Sequence, residues 1–362
     1  YFSKPPLIAW IIRAATEAAG GATVFSVRLP APLLQGLTAL AVMALGARLY
    51  GPQIGAWSGA IYATLPAATV GAAVISTDTP LLLFVALALL LLLRLAARPS
   101  RLNAILLGLA VGFGFLAKYA MLYFMLGALL AALTIPQLRL AWREAGIAAL
   151  VALLVASGNI VWNAMEGFIT VAHTAHNANW RADWLNPREM LEFLGAQFGV
   201  FGPVTLVALV AAWGWAGRDW RARLLTAFSL PVLLVVTLQA LRSEANANWA
   251  VFAYVAGTPL AVVWLAGRHR RWLWLTLAIN LVVAVVLPLT LLVPEHITRA
   301  SGRSVYARLL GREELAEEIV AMARDAGAQT IIAANRGLLG DLLWVTRHDP
   351  GLRVRTVPPH GP

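Results

Sequence analysis

The sequence predicts an all-α, polytopic membrane protein of about ten transmembrane helices, followed by the start of a small α/β domain. Three observations carry this expectation. Sixty per cent of the 362 residues are hydrophobic, only 12% are charged and the mean hydropathy is +0.74; a soluble domain carries about twice that charged fraction. Several apolar runs reach about 17 residues, enough to cross a hydrocarbon core roughly 30 Å thick. The arginines gather in short links between runs, as they do where cytoplasmic loops set orientation. The net charge of +11 therefore reads as a topology signal and not as a nucleic-acid footprint. The chain has no cysteine, which excludes disulfides and thiolate metal sites.

Residues 1–30 are expected to form an outer interfacial segment within a membrane domain covering 1–293. Lys4, one of two lysines in the chain, precedes Pro5-Pro6, whose fixed φ stiffens the turn. The run 7–19 is apolar but too short to span; Arg13 and Glu17 lie one turn apart and Gly20-Gly21 stops it, so it reads as a helix lying along the membrane. Spans are expected at about 31–48, 54–74 and 80–97, and later at 145–162, 196–217, 224–241, 249–266 and 272–293. The stretch from Leu102 to Pro136 is either one tilted helix with Lys118 at its middle or two spans meeting at Lys118-Tyr119. Charge decides between them. With two spans, Arg48, Arg94, Arg98, Arg101, Arg139, Arg143, Arg218, Arg221, Arg223, Arg268, Arg270 and Arg271 all face one side. Two spans also keep the Lys118 ammonium away from the bilayer centre. Both ends of the chain and a long loop at 163–195 then face the outer, periplasmic side.

Residues 294–362 change character and read as a partial, periplasmic α/β domain. Helix formers fill 313–325, Gly327 breaks the helix, Gln329 to Ala334 suits a short strand, and a second helical stretch follows at about 337–345.

This topology sends the polar residues to one face. The outer side receives Lys4, Arg28, Asp78, Lys118-Tyr119, the segment from Asn163 to Glu192, and Arg242 to Trp249. The span centres hold almost no ionisable residue, which argues against an ion-coupled transporter. No G-x-G-x-x-G or P-loop is present. Chemistry belongs on the outer face.

Five outer segments resemble, in order, those of the polyprenyl-phosphate-sugar-dependent membrane glycosyltransferases, the family of the protein mannosyltransferases, the lipid A aminoarabinose transferase and the rhizobial galacturonosyltransferases. They are Lys4-Pro5-Pro6-Leu7, Arg28-Leu29-Pro30, Ser76-Thr77-Asp78-Thr79-Pro80, Gly114 to Tyr119, and Asn246-Ala247-Asn248-Trp249. The resemblance implies a GT-C fold in the bacterial inner membrane and inverting transfer of a sugar from a polyprenyl phosphate to an envelope glycolipid such as lipid A. It implies no cofactor beyond the lipid-linked substrate. The principal catalytic acid of such enzymes lies between their first transmembrane helix and the Lys-Pro-Pro segment. Because this chain opens at Tyr1, inside that motif, it is expected to be a fragment lacking that helix and acid, and inactive alone.

Such chemistry needs cations for the leaving phosphate and a carboxylate for the acceptor hydroxyl. Asp78 and Lys4 are the candidate catalytic residues. Lys4, Arg28, Lys118, Tyr119 and Arg242 are candidates for the donor phosphate, although Arg28 and Arg242 also suit snorkelling to headgroups. Asp78 equally suits an N-cap for the span starting at Pro80. His173, His176, Asn177, Asn179 and Trp180, with Asn246 and Asn248, suit sugar or acceptor binding. His173 and His176 have the spacing of a metal pair but no third ligand, and no metal is expected. Ser3 also stands where the aminoarabinose transferases carry an acid. Two other classes remain open: a lipid-linked-sugar flippase, for which Pro66 and Pro231 are hints, and a membrane scaffold, which would not bring Lys4, Asp78 and Lys118 together.

Overall fold

Chain order and helix ends give the architecture its logic. The computed structural model describes residues 4–178, 185–298, 302, 304–307, 310–349 and 351–356, except the side chains at 174, 176–178 and 218. Two compact units emerge, Tyr1–Ala284 and Val285–Pro362.

In the first unit, α1 (Leu7–Ala18) follows the Lys4-Pro5-Pro6 turn and packs on the helices that come later at 30–50 and 101–117. Thr23 and Ser26 form a reciprocal capping box that starts α2 (Val24–Arg28). Prolines at the first turn, where no intrahelical N–H is needed, open α3 (Pro30–Tyr50), α4 (Pro52–Thr64) and α5 (Pro66–Ala73). Next come α6 (Asp78–Ala97) and α7 (Arg101–Ala117), the latter capped by Ser100. A 3₁₀ turn at Tyr119–Met121 leads to α8 (Leu122–Thr134). The remainder is α9 (Trp142–Met165), α10 (Ile169–Ala178), α11 (Pro187–Phe201), α12 (Pro203–Trp215), α13 (Trp220–Arg242), α14 (Val251–Ala266) and α15 (Arg271–Leu289), whose last turns cross into the second unit.

Among the described residues, six helices are long and apolar enough to cross a membrane, or seven if the bent pair α11–α12 counts as one span. The differences from the expected ten are local and have backbone causes. The run 54–74 breaks at Leu65, whose ψ of 138° follows from the proline after it. The run 196–217 bends by 110° between α11 and α12. Gly202 makes that bend at φ 84°, and a Cβ there would sit 2.8 Å from Asn280 Oδ1. The stretch 102–136 does divide at Lys118, into helices of 17 and 13 residues. The segment read as a loop at 163–195 is helical through most of its described part, in α9, α10 and α11.

Small residues set the closest helix contacts. A Cβ on Gly108 would meet Ala148 O at 2.5 Å, and one on Gly112 would meet Val155 Cβ at 2.6 Å, so α7 and α9 approach backbone to backbone. Gly55 and Gly59 of α4 do the same against Ala47 and Met43 of α3. At the centre α14 is buried almost throughout, with Phe252, Tyr254 and Leu260 inaccessible, while α9 and α15 leave most of their apolar length uncovered. Such uncovered apolar length is what lipid contacts require.

The second unit carries α16 (Arg312–Asp325), β1 (Thr330–Ala333), α17 (Arg336–Val345) and β2 (Arg353–Thr356). β1 and β2 pair in parallel, Thr330 with Arg353 through Ala333 with Thr356, so α17 is the crossover of a β-α-β unit. Ala316, Val320, Ala333, Leu342 and Leu352 form its small core.

Candidate active site

At one end of the helical unit, three helix termini meet. Asp78 is the first residue of α6, Lys118 is the residue at which α7 ends, and Asn248 lies in the 3₁₀ turn Ala247–Ala250 that leads into α14. Lys118 Nζ donates to Asp78 Oδ1 at 2.5 Å. Asn248 Nδ2 donates to Asp78 Oδ2 at 2.8 Å. The pair is largely sequestered, with 18% of the Lys118 side chain and 15% of that of Asp78 exposed. The Asp78 carboxylate is therefore committed to tertiary contacts, and Thr77, not Asp78, occupies the cap position of α6 without a side-chain cap bond. The N-cap alternative is set aside.

Lys4 completes a basic corner. Half-buried beside the buried Pro5, it lies in the field of both Lys118 and Asp78. Burial lowers the pKa of its ammonium, the Lys118 cation lowers it further, and Asp78 opposes the two. Two ammonium groups thus share one carboxylate in a partly enclosed site. That imbalance suits an anion with more than one charge.

The break carrying Lys118 is itself held. Gly114 lets Met121 fold back against α7, since a Cβ there would sit 2.7 Å from Met121 Sδ. Tyr119 donates its hydroxyl proton to Asn159 Oδ1 (2.9 Å) and accepts from Asn163 Nδ2 (3.1 Å), both on α9. On the α14 side, Gln197 of α11 donates to Ala247 O at 3.2 Å, and Tyr254 donates to Gln197 Oε1 at 2.6 Å. The residue next to Asn248 is thereby tied to α11 and α14.

Comparison with known proteins identifies the family. The family model described as dolichyl-phosphate-mannose-protein mannosyltransferase matches residues 3–162. The lipid A galacturonosyltransferase RgtD of Rhizobium johnstonii is 41% identical over all of this chain and 77% of its own length. The chain belongs to the polyprenyl-phosphate-sugar-dependent membrane glycosyltransferases. Two crystal structures of ArnT from Cupriavidus metallidurans share the fold of this family member. The apo form aligns with a TM-score of 0.60 at 17% identity, and the form bound to undecaprenyl phosphate with 0.59 at 18%. Each covers 89% of this chain, which spans 62% of the ArnT chains.

The other residues singled out from sequence lie in several places. Arg28 ends α2 and is exposed, and Arg242 ends α13, half-buried and engaged within the protein. Tyr119 serves the helix break. Asn246 is the exposed residue before the Asn248 turn. His173 lies half-buried on α10 and has an interaction partner. The side chains of His176 and Asn177, and residues Asn179 and Trp180, lie outside the described residues of this family member. Gln197 and Asn159 escaped the sequence reading, and Asn163 entered it only as the start of the outer polar segment. The available signal was an amide inside an apolar run, which in a membrane protein needs a partner.

Proposed function

We propose that this chain forms the membrane domain of an enzyme that transfers a sugar from a polyprenyl-phosphate donor to a lipid A-type or other envelope glycolipid, with inversion. The observation that carries the proposal is the Lys4, Lys118, Asp78 and Asn248 constellation at one end of the helices. The acceptor hydroxyl attacks the anomeric carbon as its proton passes to a carboxylate base, the bond to the phosphate oxygen breaks, and polyprenyl phosphate leaves with its negative charge increased. Lys4 and Lys118 stabilise that charge as it develops. Asp78 holds Lys118 in place and orients the acceptor hydroxyl, with Asn248 fixing the carboxylate. Arg28 extends the basic surface toward the headgroups. His173 and the polar residues after it, His176, Asn177, Asn179 and Trp180, serve the sugar or acceptor. The naming of RgtD as a lipid A galacturonosyltransferase and the undecaprenyl phosphate bound in the second ArnT structure support this choice of acceptor and donor.

In the same reading the chain crosses the inner membrane ten times, α4–α5, α7, α8 and α11–α12 supplying the crossings that length alone does not credit. The constellation faces the periplasm. No cofactor or metal enters the scheme. The opposite ends of the helices support this sidedness, because Arg48, Arg94, Arg98, Arg101, Arg139, Arg143, Arg221, Arg223, Arg268, Arg270 and Arg271 all fall there.

The test is transfer of radiolabelled sugar from a panel of polyprenyl-phosphate sugars to lipid A in proteoliposomes of the full-length gene product. Wild type should transfer at least one donor's sugar, and Lys118→Met should lower that rate by about 10² or more. A well-folded Lys118→Met protein with wild-type turnover would contradict the assignment.

A further inference from the structure

At the far end of α6 from Asp78, the helix termini enclose a cleft of about 370 Å³. Arg48, Leu49, Leu93, Ala96, Ala97, Gln137, Leu138, Trp220 and Arg221 line it. Asp78 and Ala97 are the first and last residues of α6, about 28 Å apart along its axis. That is close to the thickness of a hydrocarbon core, roughly 30 Å. The cleft therefore lies at the membrane surface opposite the candidate active site.

Its charge is unbalanced. Arg48 is exposed and, among the described residues, makes no ion pair. Arg221 stands with its guanidinium carbon 5.7 Å from the ring centres of both Tyr50 and Trp220, held partly by aromatic faces. The nearby Asp219 carboxylate is already occupied. Tyr50 donates to its Oδ2 at 2.9 Å, and the Arg221 backbone N–H donates to its Oδ1 at 3.1 Å. Two guanidiniums thus outnumber one engaged carboxylate, with the exposed Gln137 amide beside them as a further donor. The remaining wall is apolar: Leu49, Leu93 and Leu138 are buried side chains.

We propose that this cleft binds the phosphodiester headgroup of an anionic phospholipid of the leaflet opposite the active site. The guanidinium fork matches phosphate oxygens, and the leucine wall suits the glycerol and first acyl carbons. A free phosphate would use the arginines but gain nothing from that wall. Basic pockets between helix ends on this side of a membrane have the same logic.

The test is native mass spectrometry of the full chain in detergent, titrated with phosphatidylglycerol or with phosphatidylcholine of the same acyl chains. Wild type should retain phosphatidylglycerol preferentially. Arg48→Gln/Arg221→Gln should weaken that retention about thirtyfold, to the phosphatidylcholine level. Arg268→Gln/Arg270→Gln, with the same change in net charge at the same end, should change it less than about twofold. Both variants alter exposed side chains, and unchanged thermal midpoints establish that they fold. Equal weakening by the two double variants would mean diffuse surface attraction and overturn the site. So would equal retention of the two lipids. Displacement of phosphatidylglycerol by equimolar inorganic phosphate would assign the cleft to a soluble anion and overturn the lipid assignment.

Discussion

Lys4 carries its charge against opposition. Burial and the Lys118 cation both disfavour the ammonium, and only Asp78 supports it. Its folded pKa lies below the ordinary 10.5, so between those two values the unfolded chain binds more protons. Stability owed to this group accordingly rises with pH through that window. Activity runs the other way, because the charged form needed by the leaving phosphate disappears as pH climbs through the lowered value. The alkaline limb of kcat/KM should therefore fall below pH 10.5, and Lys4→Arg should move it upward, since guanidinium stays charged. A limb unmoved by arginine would show that another group sets it. Lys4→Ala should abolish turnover without lowering the thermal midpoint, because it removes a half-buried, poorly compensated cation. Asp78 and Lys118 differ in kind from the exposed Arg13–Glu17 pair. A double-mutant cycle with Asp78→Asn and Lys118→Met should give a coupling of about 1.5–3 kcal/mol, above the ~0.2–1 kcal/mol of exposed pairs. Coupling below that range would make the contact incidental.

Elements are held to the site by contacts between neighbouring turns. The α7–α9 approach puts Tyr119 beside Asn159 and Asn163, so Gly112→Val should force those helices apart, at a cost of about 1–3 kcal/mol, and loosen Lys118 with them. A Gly112→Val protein with unchanged midpoint and turnover would show the approach to be dispensable. Gln197 offers a finer comparison. Tyr254→Phe removes only the hydroxyl above it, whereas Gln197→Leu also frees Ala247 and leaves a buried hydroxyl unpaired. Both should lose about 1–3 kcal/mol of stability; only Gln197→Leu should lower kcat by tenfold or more, through Asn248. Equal kcat for the two would leave Gln197 a packing residue. The division at Lys118 was legible in sequence because a buried lysine and a one-sided arginine distribution both demanded it. The bend at Gly202 was not, since hydropathy averages over residues and cannot see one backbone torsion, and at 54–74 Pro66 hinted at a broken span that the count still took as one. The convergence of Lys4, Asp78 and Lys118 could be anticipated from family motifs, whereas the Gln197 tie spans α11 to α14 and has no local signature.

For the whole molecule, what matters is where helices end. Two layers of chemistry lie about 28 Å apart along α6, the Lys118–Asp78 pair with Lys4 in its field on one and arginine-rich turns on the other. The sequence reading assigned the two to opposite faces from the arginine distribution and singled out the cluster from family motifs. It took the runs at 54–74 and 196–217 as single rods, whereas each is broken within its length. In the second unit it found α16, β1 and α17, and missed β2, whose four residues are too few and too exposed for their alternation to stand out. The meeting of Asp78, Lys118 and Asn248 also has a consequence for synthesis. Its three members leave the ribosome 40 and 130 residues apart, so Lys118 and Asp78 can pair as a two-helix hairpin long before Asn248 exists. The last hydrogen bond cannot form until Asn248 and the turn leading into the buried α14 have been made. A chain stalled before residue 248 would therefore hold the Lys118–Asp78 pair without the amide that fixes the second carboxylate oxygen.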